Sequence, residues 1–315
     1  MKGWEFTTTN EPLKLVEKPD PVATEGRVVI EVKAAGLCHS DVGALRDEKW
    51  LKLMDPPVIM GHEIAGVIKE VGPGVTNYKV GDRVGVCPVS KTGSNPGYGY
   101  DGGYADLVSA PAVDLVPMPE GITFAQAAAG TDAGMTSYHA MFQTGGAKPG
   151  MKVGVIGIGG LGQIALRAAV VKGIEAYAVD ISPNARELAK ELGAKEVFED
   201  VIELADIEPD LIVDYAGFGT TTSGAIDIIA PGGTVVLVGM GKLESTINTD
   251  PLIIKAATLK GSVGGDVNDI AEVYKLMASG DIDPAITEIT FDEIWEGLLK
   301  LERHEVTGRL VAIMD

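Results

Sequence analysis

Cysteine is scarce in this chain, and its scarcity excludes one class of fold. Only Cys38 and Cys87 occur among 315 residues. Two cysteines cannot build the disulfide framework that stabilises small secreted domains. A single Cys38–Cys87 bridge is not expected either, because a reducing compartment disfavours it. We therefore expect a fold held together by an ordinary hydrophobic core.

Long apolar runs and positive charge are also lacking. No run reaches the roughly 20 apolar residues of a membrane span. The start, Met1 to Glu5, has no basic-then-apolar signal layout, so we expect a cytoplasmic protein. The net charge is −19, which repels phosphate backbones and anionic lipid. Nucleic acid and membranes are thus not expected partners.

The pattern of apolar residues and turns changes along the chain. A chain of this length is expected to form about two domains. From about residue 25 to 110, short apolar segments alternate with Gly, Pro and Asp turns, which predicts a small, largely antiparallel β domain. After about residue 130, strands alternate with helices, which predicts parallel βαβ units. Strands are expected at 152–156, 175–180, 211–214, 234–238, 286–289 and 308–313, and helices at 162–172, 184–192, 269–278 and 291–301.

A glycine-rich turn follows the first of those strands and opens a helix. Gly157, Gly159, Gly160, Leu161 and Gly162 fall in a G-x-G-x-x-G fingerprint, whose glycines allow a tight turn and close approach of a pyrophosphate. The helix N-terminus would add N–H groups for the phosphates.

Three further positions complete the expected dinucleotide site. Asp180 lies 18 residues beyond Gly162, at the end of the next predicted strand. A carboxylate there can bind both ribose hydroxyls of NAD and repel the 2′-phosphate of NADP, so NAD(H) is expected over NADP(H). Gly239 and Val263 follow late strands and could let the backbone approach the nicotinamide. The alternative is a glycine-rich packing turn followed by a strand-end aspartate.

Cys38 and His62 stand in glycine-rich surroundings upstream of that fingerprint. Thiolate and imidazole are ligands that zinc prefers. A metal site and a nicotinamide site in one chain point to hydride transfer between alcohols and carbonyls.

Together these motifs resemble the zinc-containing medium-chain alcohol dehydrogenases over nearly the whole chain. The resemblance rests on the segments 35–41 (AGLCHSD), 61–66 (GHEIAG), 71–75 (VGPGV), 80–84 (VGDRV) and 157–162 (GIGGLG), and on Gly308-Arg309. It implies an α/β protein with a GroES-like β-rich catalytic domain and a Rossmann coenzyme domain built on a doubly wound parallel sheet. The implied boundaries are 1–133 for the catalytic domain, 134–264 for the coenzyme domain, and 265–315 for a segment that returns partly to the catalytic domain.

The resemblance implies a ligand set for one catalytic zinc per chain. Cys38 and His62 correspond to the first two ligands, and Asp132 stands where the family usually has a third cysteine. The alternative for Asp132 is the N-cap of a following helix. Most members hold a second, structural zinc on four cysteines, which this chain cannot do. Residues 88–103 look like a shortened replacement for that lobe.

Other residues near these ligands take expected roles from the same resemblance. Ser40 would relay the alcohol proton through the nicotinamide ribose, although a helix cap is its alternative, and Gly43 replaces the family's frequent relay histidine. Asp41 is expected to orient His62 through its other ring nitrogen. Glu63 could approach the metal transiently or only set the local field.

Two basic residues are candidates for the pyrophosphate. His39 follows the cysteine ligand directly, and Arg309 lies near the C-terminus. For Arg309 the alternative is a surface arginine. Trp50 and Met54 line a substrate pocket or, equally, pack in the core. Cys87 is expected to be a small buried hydrophobic residue.

These observations favour a zinc- and NAD-dependent alcohol dehydrogenase that reversibly oxidises small primary or secondary alcohols to aldehydes or ketones. One alternative is a zinc-independent enone or quinone reductase on the same fold. Another is a non-catalytic dinucleotide-binding protein. The family resemblance also implies a homodimer or homotetramer.

Overall fold

The computed structural model describes residues 1–314, which form two compact units. The first unit comprises Met1–Asp132, Asp266–Ser279 and the stretch that begins at Ile286. The second comprises Ala133–Gly265 and Gly280–Ala285.

Sixteen strands are assigned within residues 1–314. In chain order they are β1 (Lys2–Phe6), β2 (Lys14–Glu17), β3 (Arg27–Gly36), β4 (Val58–Ile59), β5 (Glu63–Val71), β6 (Arg83–Val86), β7 (Leu107–Pro111), β8 (Leu115–Pro117), β9 (Lys152–Ile156), β10 (Glu175–Val179), β11 (Glu196–Phe198), β12 (Leu211–Asp214), β13 (Thr234–Leu237), β14 (Thr258–Gly261), β15 (Ile286–Thr290) and β16 (Arg309–Ile313).

The α-helices of the same residues are mostly short. They are α1 (His39–Arg46), α2 (Phe124–Ala129), α3 (Met135–Tyr138), α4 (Gly162–Val171), α5 (Pro183–Glu191), α6 (Thr220–Ile228), α7 (Asp250–Ile254), α8 (Val267–Ala278) and α9 (Ile294–Glu302). Wider π-helical turns, Gly130–Gly134 and His139–Thr144, flank α3. None of these helices is both long enough and apolar enough to cross a membrane.

The first unit is built on a seven-stranded sheet and a smaller three-stranded one. The larger sheet has the order β15-β16-β3-β5-β6-β8, with β7 also paired to β3, and the smaller has the order β2-β1-β4. Every pairing is antiparallel except that of β15 with β16. The largely antiparallel β domain predicted from the turn-rich sequence is therefore confirmed.

The second unit is a doubly wound α/β layer structure. Its six strands are all parallel and have the order β11-β10-β9-β12-β13-β14. The chain adds strands on one side of β9 and then on the other, which is the pattern of dinucleotide-binding sheets. Strands β9, β10 and β12 are nearly continuous apolar runs, as expected where helices cover both faces of a sheet. Helix α5 begins with Pro183 after Ser182, whose hydroxyl accepts from Ala185 N and caps it. The Rossmann expectation is confirmed.

Candidate metal and dinucleotide sites

Strand pairing in the first unit brings Cys38 and His62 together. Gly36 pairs with Glu63 in the β3–β5 ladder, so Cys38, two residues beyond Gly36, lies beside His62, one residue before Glu63. Both side chains are buried, with Cys38 7% and His62 4% exposed. The register of the β3–β5 ladder therefore brings two motifs that lie 24 residues apart in the sequence into one site.

Asp132 reaches the same site from a distorted helix. It lies within the π-helical turn Gly130–Gly134 that continues α2, so the N-cap alternative is wrong. Its Oδ2 lies 3.5 Å from Cys38 Sγ and 3.4 Å from His62 Nε2. With 17% of its side chain exposed, Asp132 is the most accessible of the three.

These donors fit a tetrahedral zinc ion. Zinc bonds of about 2.0–2.3 Å place adjacent ligand atoms of a tetrahedron roughly 3.3–3.8 Å apart, and the two spacings measured here fall inside that interval. One thiolate, one imidazole and one carboxylate leave a fourth position for substrate or water, as a catalytic site requires. Cys38, His62 and Asp132 form the only such three-residue cluster of His, Cys, Asp and Glu in residues 1–314.

Asp41 supports His62 from the protein interior. Its Oδ1 lies 3.2 Å from His62 Nδ1, and its Oδ2 accepts hydrogen bonds from Cys38 N (3.0 Å) and Tyr104 Oη (2.6 Å). Burial lowers the pKa of His62, but Asp41 and Asp132 raise it well above its ordinary value. Asp41 thus stabilises a protonated Nδ1 and leaves Nε2 to face Cys38 and Asp132.

Glu63 makes a buried ion pair rather than joining the metal-binding cluster. Its carboxylate accepts two hydrogen bonds from the guanidinium of Arg309, one of them 3.0 Å from Nε. Glu63 is fully buried and Arg309 is 3% exposed, so the surface-arginine alternative for Arg309 is wrong. A Cβ on Gly36 would collide with the Glu63 carboxylate, which explains the glycine there. Arg309 Nη2 also lies 3.5 Å from Asp132 Oδ2 and ties the pair to the site.

Ser40 lies in the first turn of α1, with Cys38 rather than Ser40 at the N-cap, so the helix-cap alternative for Ser40 is wrong. Its Oγ accepts a hydrogen bond from the hydroxyl of Tyr98 at 3.2 Å. Burial raises the pKa of Tyr98 above its ordinary value, so this hydroxyl stays protonated. Sequence reasoning missed Tyr98. The only signal was the richness of residues 88–103 in Gly and Tyr, which names no single position.

His39 follows Cys38 directly, but it is not among the three clustered donor residues. Its ring stacks on His304 with centroids 6.0 Å apart. His39 is exposed on one side, yet partial loss of hydration around its ring lowers its pKa to about 4. The positive charge of Arg309 is the second cause of this shift. Contact of His39 and Arg309 with a pyrophosphate stays a prediction.

In the second unit, the glycine fingerprint adopts the geometry that the motif requires. Gly157 has φ +85°, and a Cβ there would lie 3.1 Å from Ala216 N. A Cβ on Gly162 would collide with the carbonyl oxygen of Gly157, so the start of α4 packs directly on the turn. Gly159 faces open space, with nothing within 4 Å of a Cβ built there. A dinucleotide phosphate fits this cradle.

Asp180 follows β10 and is bonded to the turn itself. Its two carboxylate oxygens accept from Ile158 N (2.7 Å) and Ser182 N (2.8 Å), and each keeps a lone pair for a further donor. Arg186 donates to the Asp180 carbonyl oxygen (2.7 Å) and lies 3.3 Å from a Glu199 carboxylate oxygen.

A second carboxylate, which sequence reasoning missed, fixes the neighbouring loop. Asp214 ends β12, is fully buried, and accepts from the N–H groups of Ala216 and Gly217 and the hydroxyls of Thr221 and Thr222. It holds the loop that Gly157 packs against.

The remaining candidate residues differ in their exposure to solvent. Gly239 packs against the backbone of Ala216, whereas the side chain of Val263 is 89% exposed. Trp50 is half-buried, and Met54 is 6% exposed within the first unit's core. Cys87 is 1% exposed, which confirms that it is a buried small residue.

Comparison with known protein families supports the same assignment. Residues 24–120 match the alcohol dehydrogenase GroES-like domain, and residues 160–279 match the zinc-binding dehydrogenase domain. An alcohol dehydrogenase of Geobacillus stearothermophilus is 34% identical over the full length of both chains. A second, from Moraxella sp. (strain TAE123), is 28% identical over 99% of this chain and 98% of its own.

Solved structures show the same fold. Acetophenone reductase from Geotrichum candidum, in complex with NAD, superposes with a TM-score of 0.91 at 29% identity, over 99% of this chain and 96% of that one. The alcohol dehydrogenase of the archaeon Aeropyrum pernix gives 0.89 at 26% identity, over 99% and 100%. The chain belongs to the zinc-containing medium-chain alcohol dehydrogenase family.

Proposed function

We propose that this oxidoreductase is a zinc- and NAD-dependent alcohol dehydrogenase that interconverts primary or secondary alcohols with aldehydes or ketones. The observation that carries the proposal is the cluster of Cys38 Sγ, His62 Nε2 and Asp132 Oδ2, whose spacings of 3.4 and 3.5 Å suit one tetrahedral zinc ion.

Cys38, His62 and Asp132 would hold the zinc ion, and the glycine turn with Asp180 would hold NAD. When bound, zinc supplies a Lewis acid that lowers the pKa of an alcohol, and the nicotinamide accepts a hydride. Glu63 is held by Arg309 and is not proposed as a ligand in the resting site.

The chain's own residues orient the reactants and move one proton. Ser40 Oγ accepts the proton of the substrate hydroxyl and passes its own proton on. Asp41 keeps the imidazole of His62 turned toward the other two ligands. The carboxylate of Asp180, with its remaining lone pairs, binds the ribose hydroxyls of NAD and repels a 2′-phosphate.

The substrate class is proposed as small alcohols and carbonyl compounds, with ketones included. The structural likeness to an acetophenone reductase supports ketones. We also propose a homodimer or homotetramer. The end strand β14 of the second unit's sheet supports this, together with the nearby exposed side chains of Ile253 (75%) and Ile254 (76%).

The test is an assay of NAD reduction by a panel of primary and secondary alcohols. The assay uses untreated protein, chelator-treated protein, and treated protein resupplied with zinc. We expect oxidation of at least one alcohol class, loss on chelation and recovery with zinc. Chelator-insensitive reduction of enones or quinones would overturn the proposal, as would NADH binding with no turnover of any alcohol or carbonyl.

A further inference from the structure

We propose that Tyr98 is a positioning residue for proton transfer at Ser40. The hydroxyl of Tyr98 donates to Ser40 Oγ at 3.2 Å, and its ring lies against His62 with centroids 5.6 Å apart. The inference rests on the proposed function, in which Ser40 handles the substrate proton. It assigns a task to residues 88–103, the segment that carries Tyr98.

The hydrogen-bonding capacity of a serine explains why this contact matters. A serine hydroxyl offers one donor and two acceptor lone pairs. Tyr98 occupies one acceptor, which leaves one acceptor for the substrate hydroxyl and one donor for the proton that Ser40 passes on. With one acceptor lone pair and one donor hydrogen remaining, the Ser40 hydroxyl can accept a proton from the substrate and donate its own proton elsewhere.

The proton balance of the step is simple. The substrate O–H bond would break as a new Ser40 Oγ–H bond forms, and the original Ser40 proton would be released to water. NAD, when bound, would supply the acceptor for the hydride that carries the electron pair from the substrate carbon. Tyr98 keeps its own proton throughout, and its hydrogen bond stabilises negative charge that develops on Ser40 Oγ.

Trp50 and Gly43 hold Tyr98 in place. The ring of Trp50 stacks on Tyr98 with centroids 6.4 Å apart and planes inclined by 28°. A Cβ on Gly43 would lie 2.8 Å from both Cε2 and Nε1 of Trp50, so any larger residue at 43 must displace that ring. The glycine that stands in place of the family's relay histidine is therefore the residue that admits the Trp50–Tyr98 stack.

The backbone of the same segment fixes how closely Tyr98 approaches the site. A Cβ on Gly97 would lie 2.9–3.0 Å from Gly61 backbone atoms, and one on Gly102 would collide with the Gly61 carbonyl oxygen. Gly103 N donates to that oxygen (2.7 Å), and Asp55 N donates to the carbonyl of Tyr98 (2.8 Å). The segment is thus anchored directly beside His62, and the hydroxyl of Tyr98 has a fixed position.

The test compares Tyr98→Phe with Tyr100→Phe. Tyr100 lies two residues away, under the guanidinium of Arg27 at 4.7 Å, and its hydroxyl makes no hydrogen bond to any group in residues 1–314. In zinc-loaded protein we expect Tyr98→Phe to lower kcat for alcohol oxidation about tenfold with KM within about twofold, on the scale of one lost hydrogen bond. Tyr100→Phe should leave both constants unchanged. Zinc content and melting temperature should be unchanged in both variants.

Coupling to Ser40 separates positioning from packing. In a Ser40→Ala background, Tyr98→Phe should have no further effect, because the acceptor of its hydrogen bond is gone. Gly43→Ala, which displaces Trp50 without touching either hydroxyl, should lower kcat similarly and add nothing to Tyr98→Phe.

Three results would overturn the inference. They are equal kcat for Tyr98→Phe and wild type, an equal loss with and without Ser40, and loss of bound zinc in Tyr98→Phe. The proposed function would survive any of these three results, provided that the wild-type protein shows zinc- and NAD-dependent alcohol oxidation. A wild-type protein with no such oxidation would overturn both.

Discussion

Oδ1 of Asp41 lies 3.2 Å from Nδ1 of His62, with both side chains sealed from solvent. Neither atom makes a hydrogen bond within residues 1–314, so the two groups interact through charge rather than through an aligned hydrogen bond. The Asp41 carboxylate is therefore the charged group that faces Nδ1, and it favours a proton on that nitrogen. Such outer carboxylates orient metal-binding histidines and raise their basicity.

Asp41→Asn should weaken zinc binding by about 10–100-fold, because the amide no longer pairs its charge with the imidazole. Competition with a chromophoric zinc chelator measures the affinity. Tyr104→Phe is the control, since it removes a hydrogen bond to Oδ2 and leaves Oδ1 and His62 untouched. An Asp41→Asn affinity equal to that of the control would contradict the role given to Asp41.

Glu63→Gln should lower the free energy of unfolding by roughly 3–5 kcal/mol, because it leaves the buried guanidinium of Arg309 without a charged partner. Urea denaturation of the metal-free protein measures this without a contribution from zinc. The matched control is Glu305→Gln, which breaks an exposed pair with Arg303 and should change stability little. Equal effects of the two substitutions would show that the buried pair is not structural.

Asp180→Asn should lower the ratio of kcat/KM for NAD to that for NADP by roughly tenfold, since the substitution removes the charge that repels a 2′-phosphate. Steady-state kinetics with both coenzymes measure the ratio. Asp210→Asn alters a carboxylate that accepts from Lys152 N and should leave the ratio unchanged. An unchanged ratio in Asp180→Asn would mean that selectivity lies elsewhere.

Cys87 should react slowly with a disulfide reagent in the folded protein. Burial raises its pKa to about 11, and the thiol donates a hydrogen bond to the Val89 carbonyl oxygen. At pH 8 the thiolate is then on the order of 0.1% of the thiol, against roughly a quarter in an unfolded chain. Rates are measured by absorbance in folded and urea-unfolded Cys38→Ser protein, where Cys87 is the remaining thiol. The folded rate should be at least about 100-fold lower and should rise with pH toward 11. Equal rates would contradict the burial of this thiol.

Local sequence patterns predicted most of the fold because the relevant signals are short-range. The strands at 152–156 and 211–214 and the helix at 162–172 are confirmed almost to the residue, since continuous apolar runs and a glycine turn mark them. The short strands β11 and β14 were missed. They are only three and four residues long and carry few buried side chains.

The long-range contacts of the site could not be obtained in the same way. Cys38 and His62 were recognisable as motifs, but the pairing of Glu63 with Arg309 spans 246 residues and depends on the register of three strands. The contact between Tyr98 and Ser40 depends on close packing of a glycine-rich segment, which no spacing rule specifies.

The zinc site is probed most directly by the zinc content per chain of purified, unchelated protein, measured for wild type, Asp132→Ala and Asp132→Cys. We expect about one zinc in wild type, loss of zinc and of NAD-linked alcohol oxidation in Asp132→Ala, and retention of zinc in Asp132→Cys, where thiolate replaces carboxylate as an accepted ligand. Active wild-type protein without zinc, or full zinc occupancy in Asp132→Ala, would contradict a catalytic site built from Cys38, His62 and Asp132.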